Sequence, residues 1–404
     1  MSDHTRMSAP SRMHTLVRRA LPTILLLAGA SALLLATDRG TARRVLPAVA
    51  VLQQVSTPVL DDAVVGMLEG LAEKGYVEGR TVTIARFNAE GDLAQANAIA
   101  REIAGGPYDL ALTSSTPSLQ ALATANARGR VLHVFAAVAD PFSTGVGLDR
   151  GNPLVHPRHL VGYGSLAPVD ATFRMARAMN PQLARVGVAH NPAESNSRRF
   201  MELARASCAA QGIDLLEAAV ENSSGVIEAV QSTIARGAEA IFIPGDTTVA
   251  SVTESVVATA AKAGLPVFTL IPGAPDRGTL FDVGFDFREV GLLAGRVAGD
   301  LLADVDPATV PIGETAAEIP PRLTVNLAAP GYDRTRWRVP EAMLRQAKVV
   351  IDDNGRRDQP EAVLEGPFTE AEAVHGKPGA SAGSPGIGPS GIGPTGVESP
   401  AGRR

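Results

Sequence analysis

The chain has 404 residues, of which 45% are hydrophobic and 20% charged, with a formal net charge of −5. This is the composition of a globular protein with a large core, and its acidic balance argues against a nucleic-acid partner, whose binding runs on phosphate neutralisation by Lys and Arg. The one cysteine, Cys208, excludes an intrachain disulfide and leaves no cysteine after the N-terminal apolar segment to carry a lipid.

In chain order, Arg6, Arg12, Arg18 and Arg19 precede an uncharged stretch at 20–36. Residues 1–44 therefore read as a signal peptide or an N-terminal membrane anchor, with Gly40 and Ala42 suited to cleavage before Arg43. The apolar stretch sits at the lower end of the roughly 17–25 residues a spanning helix needs. Either outcome exports the chain.

A short apolar strand at 49–52 follows, and Pro58 opens a helix whose Val64, Met67, Leu68 and Leu71 recur at helical spacing until Gly75. Strands at 81–87, 108–114 and 131–138 then alternate with helices beginning at Asp92 and Thr116. After a Gly/Pro-rich crossover the scheme repeats. Strands at 185–191, 213–220, 238–246 and 265–271 are separated by helices at 194–211, 223–236 and 247–263. A strand at 280–285, a helix at 286–303, a strand at 321–328 and a final helix at 340–351 complete the pattern. Continuous apolar strands between helices predict an α/β fold with parallel sheets covered on both faces. From 353 to 404 the chain turns to Gly, Pro and Ser and is expected to be a disordered tail, without the strict period of collagen.

Four loops at strand ends carry short polar groups: Ser114-Ser115-Thr116-Pro117, Ala139-Asp140-Pro141, His190 to Ser197, and Pro244-Gly245-Asp246-Thr247-Thr248. Ligands of open α/β sheets bind at such strand ends. Catalytic signals are missing from the sequence: it has no Gly-x-Ser-x-Gly elbow, no phosphate loop and no His or Cys cluster at metal spacing. His156 and His159 flank Pro157-Arg158 in a loop, and Gly145-Val146-Gly147 opens no helix. No enzyme activity, cofactor or metal is expected.

The strings LDDAVVGMLEGLAEKGYVEGRTVTI, NAEGDLAQANAIA, STPSLQA, VADP, NPAESNS, IPGDTTVAS, GLPVF and VGFDFREVGLLAG, in that order, resemble the ABC-transporter substrate-binding family of the tryptophan/tyrosine type. The similarity runs from about residue 47 to residue 351. It implies a type I periplasmic binding protein fold: two Rossmann-like lobes, joined by a multi-crossing hinge, with ligand between them. The lobes are expected at 45–162 plus 285–305 and at 163–284 plus 320–352.

The resemblance also implies site residues. Ser115 and Thr116 fall on the family's Ala-Thr-Pro loop, where a helix start receives a ligand carboxylate or is simply capped. Asp140 takes the Thr-Asp-Pro position, as a ligand contact or a turn former. Asn191, Glu194 and Asn196 match the Gly-Glu-Ala-Asn-Ser loop, and Asp246 with Thr247 matches Pro-Thr-Asp-Asn-Thr. Asp246 is expected either to meet a ligand ammonium group or to cap the following helix. Ser56-Thr57 and Leu270 to Pro275 depart from the family pattern, as does Thr247, so the solute is not named by the likeness; an amino acid is one candidate. The implied partners are a small-molecule solute and an ABC permease, with the chain periplasmic or anchored to the outer face of the cytoplasmic membrane. The alternative is a membrane-tethered sensing receptor for a signalling partner.

Overall fold

The computed structural model describes residues 46–364. The expected signal or anchor segment and everything beyond 364 lie outside the described residues. Among the described residues, no helix is long and apolar enough to cross a membrane.

The chain opens with β1 (Ala48–Gln53), α1 (Pro58–Glu73), β2 (Thr83–Asn88), α2 (Leu93–Gly105), β3 (Leu110–Ser114), α3 (Thr116–Ala125), β4 (Leu132–Val138) and β5 (Leu160–Gly164). Side-chain caps set the helix starts: Thr57 accepts the Leu60 amide ahead of Pro58, and Asp92 accepts those of Ala94 and Gln95. The second series is α4 (Val169–Met179), β6 (Arg185–His190), α5 (Ser195–Gln211), β7 (Asp214–Ala219), α6 (Val226–Ala235), β8 (Ala240–Ile243), α7 (Thr247–Ala250), α8 (Thr253–Lys262), β9 (Val267–Thr269) and β10 (Phe281–Gly284). The chain then returns through α9 (Phe287–Leu302) and β11 (Gly313–Glu314) to the first body. It ends in the second with β12 (Arg322–Asn326), α10 (Glu341–Gln346), β13 (Val349–Asp352) and β14 (Gly355–Asp358).

The first sheet has the order β11-β5-β4-β3-β1-β2 and is parallel throughout. The second runs β14-β13-β12-β10-β9-β8-β6-β7, parallel from β7 to β10 and antiparallel at β10/β12 and β13/β14. The α/β class and the paired lobes stand as expected, with antiparallel pairings added on one side. Strand order reverses at β1/β3 in one sheet and at β6/β8 in the other. Such reversals open a crevice at the carboxyl ends of the strands.

Four local expectations are corrected. β5 lies inside what reads as a loop-rich crossover; at Gly162 a Cβ would lie 2.3 Å from the Phe135 carbonyl oxygen, so this glycine marks close strand contact. The helix expected at 247–263 is broken at Val252. There the Ser251 and Thr253 hydroxyls donate to the carbonyls of Thr248 and Ala250, each at 2.8 Å, and compete with the helical amide ladder. The final helix stops at Gln346 because the β-branched run from Val349 to Ile351 pairs with Thr324 to Asn326. Beyond it, β14 and the buried Leu364 occupy part of the segment expected to be disordered from 353.

One contact ties the returning helix to the first lobe. Gly66 and Gly70 of α1 face Gly291 and Gly295 of α9 so closely that a Cβ at these positions would lie 2.0, 2.4, 2.1 and 2.1 Å from a backbone oxygen of the other helix. The two backbones touch, and any side chain would wedge them apart. Gly291→Ala should therefore destabilise the protein by about 1–3 kcal/mol, the usual cost of overpacking, measured by urea unfolding. Gly105→Ala, at a helix end with nothing within 4 Å of the new methyl, serves as the control and should be neutral or stabilising.

Candidate functional site

Loops at the carboxyl ends of both sheets converge on one cavity of about 670 Å³, its opening to solvent included. The first lobe contributes Thr57, Leu60, Ser115, Thr116 and Ala139, and Phe287 stands at the start of α9; the second contributes Asn196, Phe200, Asp246, Thr247, Ile271 and Arg277. Most stand at strand ends or crossovers, while Leu60 and Phe200 stand within the first two turns of α1 and α5. Most of the wall is apolar, with a few hydroxyls at its first-lobe end.

Ser115 caps α3, accepting the Ser118 amide at 3.2 Å, and its φ of 118° is the left-handed side of backbone space for a residue that is not glycine. Tight turns of this kind collect where a loop must aim its groups at a ligand. Thr116 is buried beside it, and its hydroxyl accepts the Ala139 amide at 3.4 Å. Both line the cavity.

In the second lobe the acids turn inward. Asp246 is fully buried; its Oδ1 accepts the Val249 amide at 2.7 Å and its Oδ2 accepts the Asn191 amide and the Ser197 hydroxyl at 3.2 and 3.0 Å. Asp246 thus takes the capping role that was the alternative to a ligand contact, and its residue also lines the cavity. Glu194 accepts the Thr247 amide, the Thr248 amide and the Thr248 hydroxyl at 2.8, 3.0 and 2.6 Å. Asn191 donates to Thr248 and Glu221. Neither Glu194 nor Asn191 lines the cavity; they brace the loop that does.

Asp140 is displaced from the cavity as well. Its buried carboxylate pairs with Arg150 and, at 3.1 Å, with Arg199 of α5. This is a bond between lobes, and a hydrogen bond of 3.0 Å from the Ser195 hydroxyl to Gln120 runs beside it.

Asn196 is the expected residue with capacity to spare. Its Nδ2 donates to the Gly245 carbonyl at 3.1 Å and to Glu194 at 3.3 Å. Two acceptors on one side fix the orientation of the amide. Its Oδ1 is therefore a buried acceptor without a donor in a residue that lines the cavity. Sequence reasoning missed Arg277, Phe200 and Phe287, which also line the wall. Only the departure of the 270–275 loop from the family pattern hinted that this region sorts ligands.

Burial and the neighbouring Glu194 charge push Asp246 from 3.8 up to about 8, against the pull of its three donors. The neutral form thus favours the fold, and this group's contribution is greatest in acid and is lost as pH rises through about 8. Glu194→Gln removes the like charge, so the Asp246 titration should move down toward the ordinary carboxylate range, read by carbon-detected NMR of its carboxyl group. A titration left unmoved would assign the shift to burial alone.

A family model described as ABC transporter substrate binding protein matches residues 48–351. A tyrosine-binding protein of Clostridioides difficile (strain R20291) is 26% identical over 260 residues, covering 64% of this chain and 74% of its own. A conserved domain protein of Vibrio cholerae is 30% identical, with a TM-score of 0.70, over 75% of this chain and 99% of that one. The ABC domain from Streptococcus pneumonia, solved in complex with L-Trp, is 24% identical with a TM-score of 0.68, over 76% of this chain and 100% of that one, and its likeness speaks to the fold.

Proposed function

The chain belongs to the ABC transporter substrate binding protein family, and from that premise we propose that it is an extracytoplasmic receptor whose two lobes close around a small amino acid with an apolar side chain. The observation that carries this reading is the orphan acceptor, Asn196 Oδ1, in a cavity whose wall is otherwise mostly apolar. A buried acceptor without a donor costs about 1–3 kcal/mol, and a ligand ammonium group would satisfy it. Ser115 and Thr116 present hydroxyls at the start of α3 on the opposite lobe, while Leu60, Phe200, Ile271 and Phe287 supply apolar surface for a side chain. The tyrosine-binding relative supports an amino acid as the ligand, without bearing on its side chain.

Mechanism follows from where these groups sit. Asn196, Phe200 and Thr247 belong to one lobe and Ser115 and Thr116 to the other, so a solute satisfies all of them together only when the lobes meet. Solute then shifts an open-closed equilibrium by its differential affinity, and an ABC permease is the partner that would read the closed form. Export through residues 1–44, cleaved or retained, belongs to the same reading.

Calorimetric titration with the common amino acids tests it directly. Heat should appear with apolar members of the set; silence across all of them would sink the amino-acid reading. Asn196→Ala should weaken the amino acid that binds by roughly 5- to 100-fold, the equivalent of about 1–3 kcal/mol, and an unchanged affinity would remove Asn196 from the site.

A further inference from the structure

The cavity wall holds one charged side chain with no bonded partner. Arg277 lines the cavity, is partly buried, and makes no hydrogen bond or ion pair with any other described residue. Glu254 and Asp282 act on its charge only from beyond ion-pair range, and desolvation outweighs them, drawing the guanidinium below its ordinary value. The other ionisable group in the wall, Asp246, has both oxygens committed to internal donors. The space that receives a solute is therefore electropositive.

Arg277 is also held in place. It ends a single 3-10 turn, Ala274–Arg277. Asn326 anchors that turn by donating its side-chain amide to the Pro275 carbonyl at 3.0 Å. Gly278 follows with φ of 96°, and a Cβ there would lie 2.9 Å from Val257 and 3.2 Å from Pro330. Only glycine lets the chain leave the turn along this path. A half-buried arginine on a pinned turn, without an anion, is a costly arrangement unless an anion arrives from outside.

We propose that Arg277 is the anion receptor of the cleft, forming a two-pronged ion pair with a carboxylate of the entering solute. The inference deepens the amino-acid reading, on which it rests for the site but not for the charge: Arg277 answers the carboxylate and Asn196 Oδ1 the ammonium. It assigns the carboxylate a partner in the second lobe, in addition to the helix start at Ser115 and Thr116. The planar guanidinium fork matches a carboxylate with two parallel hydrogen bonds, which a lysine cannot reproduce.

The test uses the full-length protein and three probes for each of two side chains. These are L-leucine and L-phenylalanine, their carboxamides, and the amine-free acids 4-methylpentanoate and 3-phenylpropionate. Each is titrated by calorimetry into wild type, Arg277→Gln and Arg277→Lys. The expected result is that carboxylate probes bind wild type at least tenfold more tightly than the carboxamides, and that Arg277→Gln abolishes this preference by weakening the carboxylates alone. Arg277→Lys should fall between the two. Unliganded Arg277→Gln should melt no lower than wild type, because no hydrogen bond or ion pair is lost, so weak binding cannot be put down to unfolding.

Carboxylates that bind wild type and Arg277→Gln equally would overturn the proposal, as would carboxamides that bind wild type as well as the acids do. Failure to bind any carboxylate probe would overturn it too. Failure of the amino-acid reading looks different: the amine-free acids would then bind as tightly as the amino acids while still depending on Arg277.

Discussion

Backbone contact between α1 and α9 is the constraint on which the two-lobed form depends. The chain leaves the second sheet at Gly284, and within three residues it begins a helix that packs on the first lobe. Gly66, Gly70, Gly291 and Gly295 let the helices approach until carbonyl oxygens meet Cα positions, which yields dense dispersion contact without side-chain entropy to lose. Salt bridges from Arg288 to Glu69 and, at 2.6 Å, from Arg296 to Glu73 lie along the exposed flank of the pair. Exposed pairs of this kind add little, so the glycine seam does most of the holding. Its position also decides where Phe287 stands, and Phe287 is part of the cavity wall.

Carboxylates in the second lobe serve that wall from behind. Glu194 and Asp246 take up the amides at the start of α7, a helix too short to hold itself by its own ladder. Burial, with the neighbouring Glu194 charge, raises the Asp246 titration, and the loop gains a fixed shape. With the acids spent internally, the cavity wall keeps an unpartnered acceptor at Asn196 and an unpaired cation at Arg277. The proposed zwitterionic solute would answer both.

The lobes also bond to each other directly. Asp140 meets Arg199, and Ser195 meets Gln120. Near the return crossing, Arg322 of β12 pairs with Asp286 and, at 2.7 Å, with Glu289 of α9. Arg199 and Asp140 are largely shielded from water, so separating the lobes must rehydrate or re-pair both charges. On the proposed reading, opening and closing would exchange partners at this rim, and a solute would add its own contacts to one side of that balance.

Periodicity alone was enough for the α/β class, most strand and helix positions, and part of the loops that form the cavity, because buried parallel strands and amphipathic helices write their burial into adjacent residues. Ser115, Thr116, Asn196 and Thr247 were legible as loop residues at strand ends, and they do line the cavity. Elements whose stability comes from a distant partner were not legible: β5 and β13 are strands because β4 and β12 lie beside them. Glycines spaced four apart at 66 and 70 and at 291 and 295 were visible in the sequence, but their meaning required knowing that the two helices meet. The same limit applies to the polar residues. Sequence identifies which side chains can accept or donate, whereas tertiary structure decides which are already satisfied. That decision turned Asp246 and Glu194 into braces and left Arg277 without a partner, because a hydrogen bond is settled by neighbours tens of residues away.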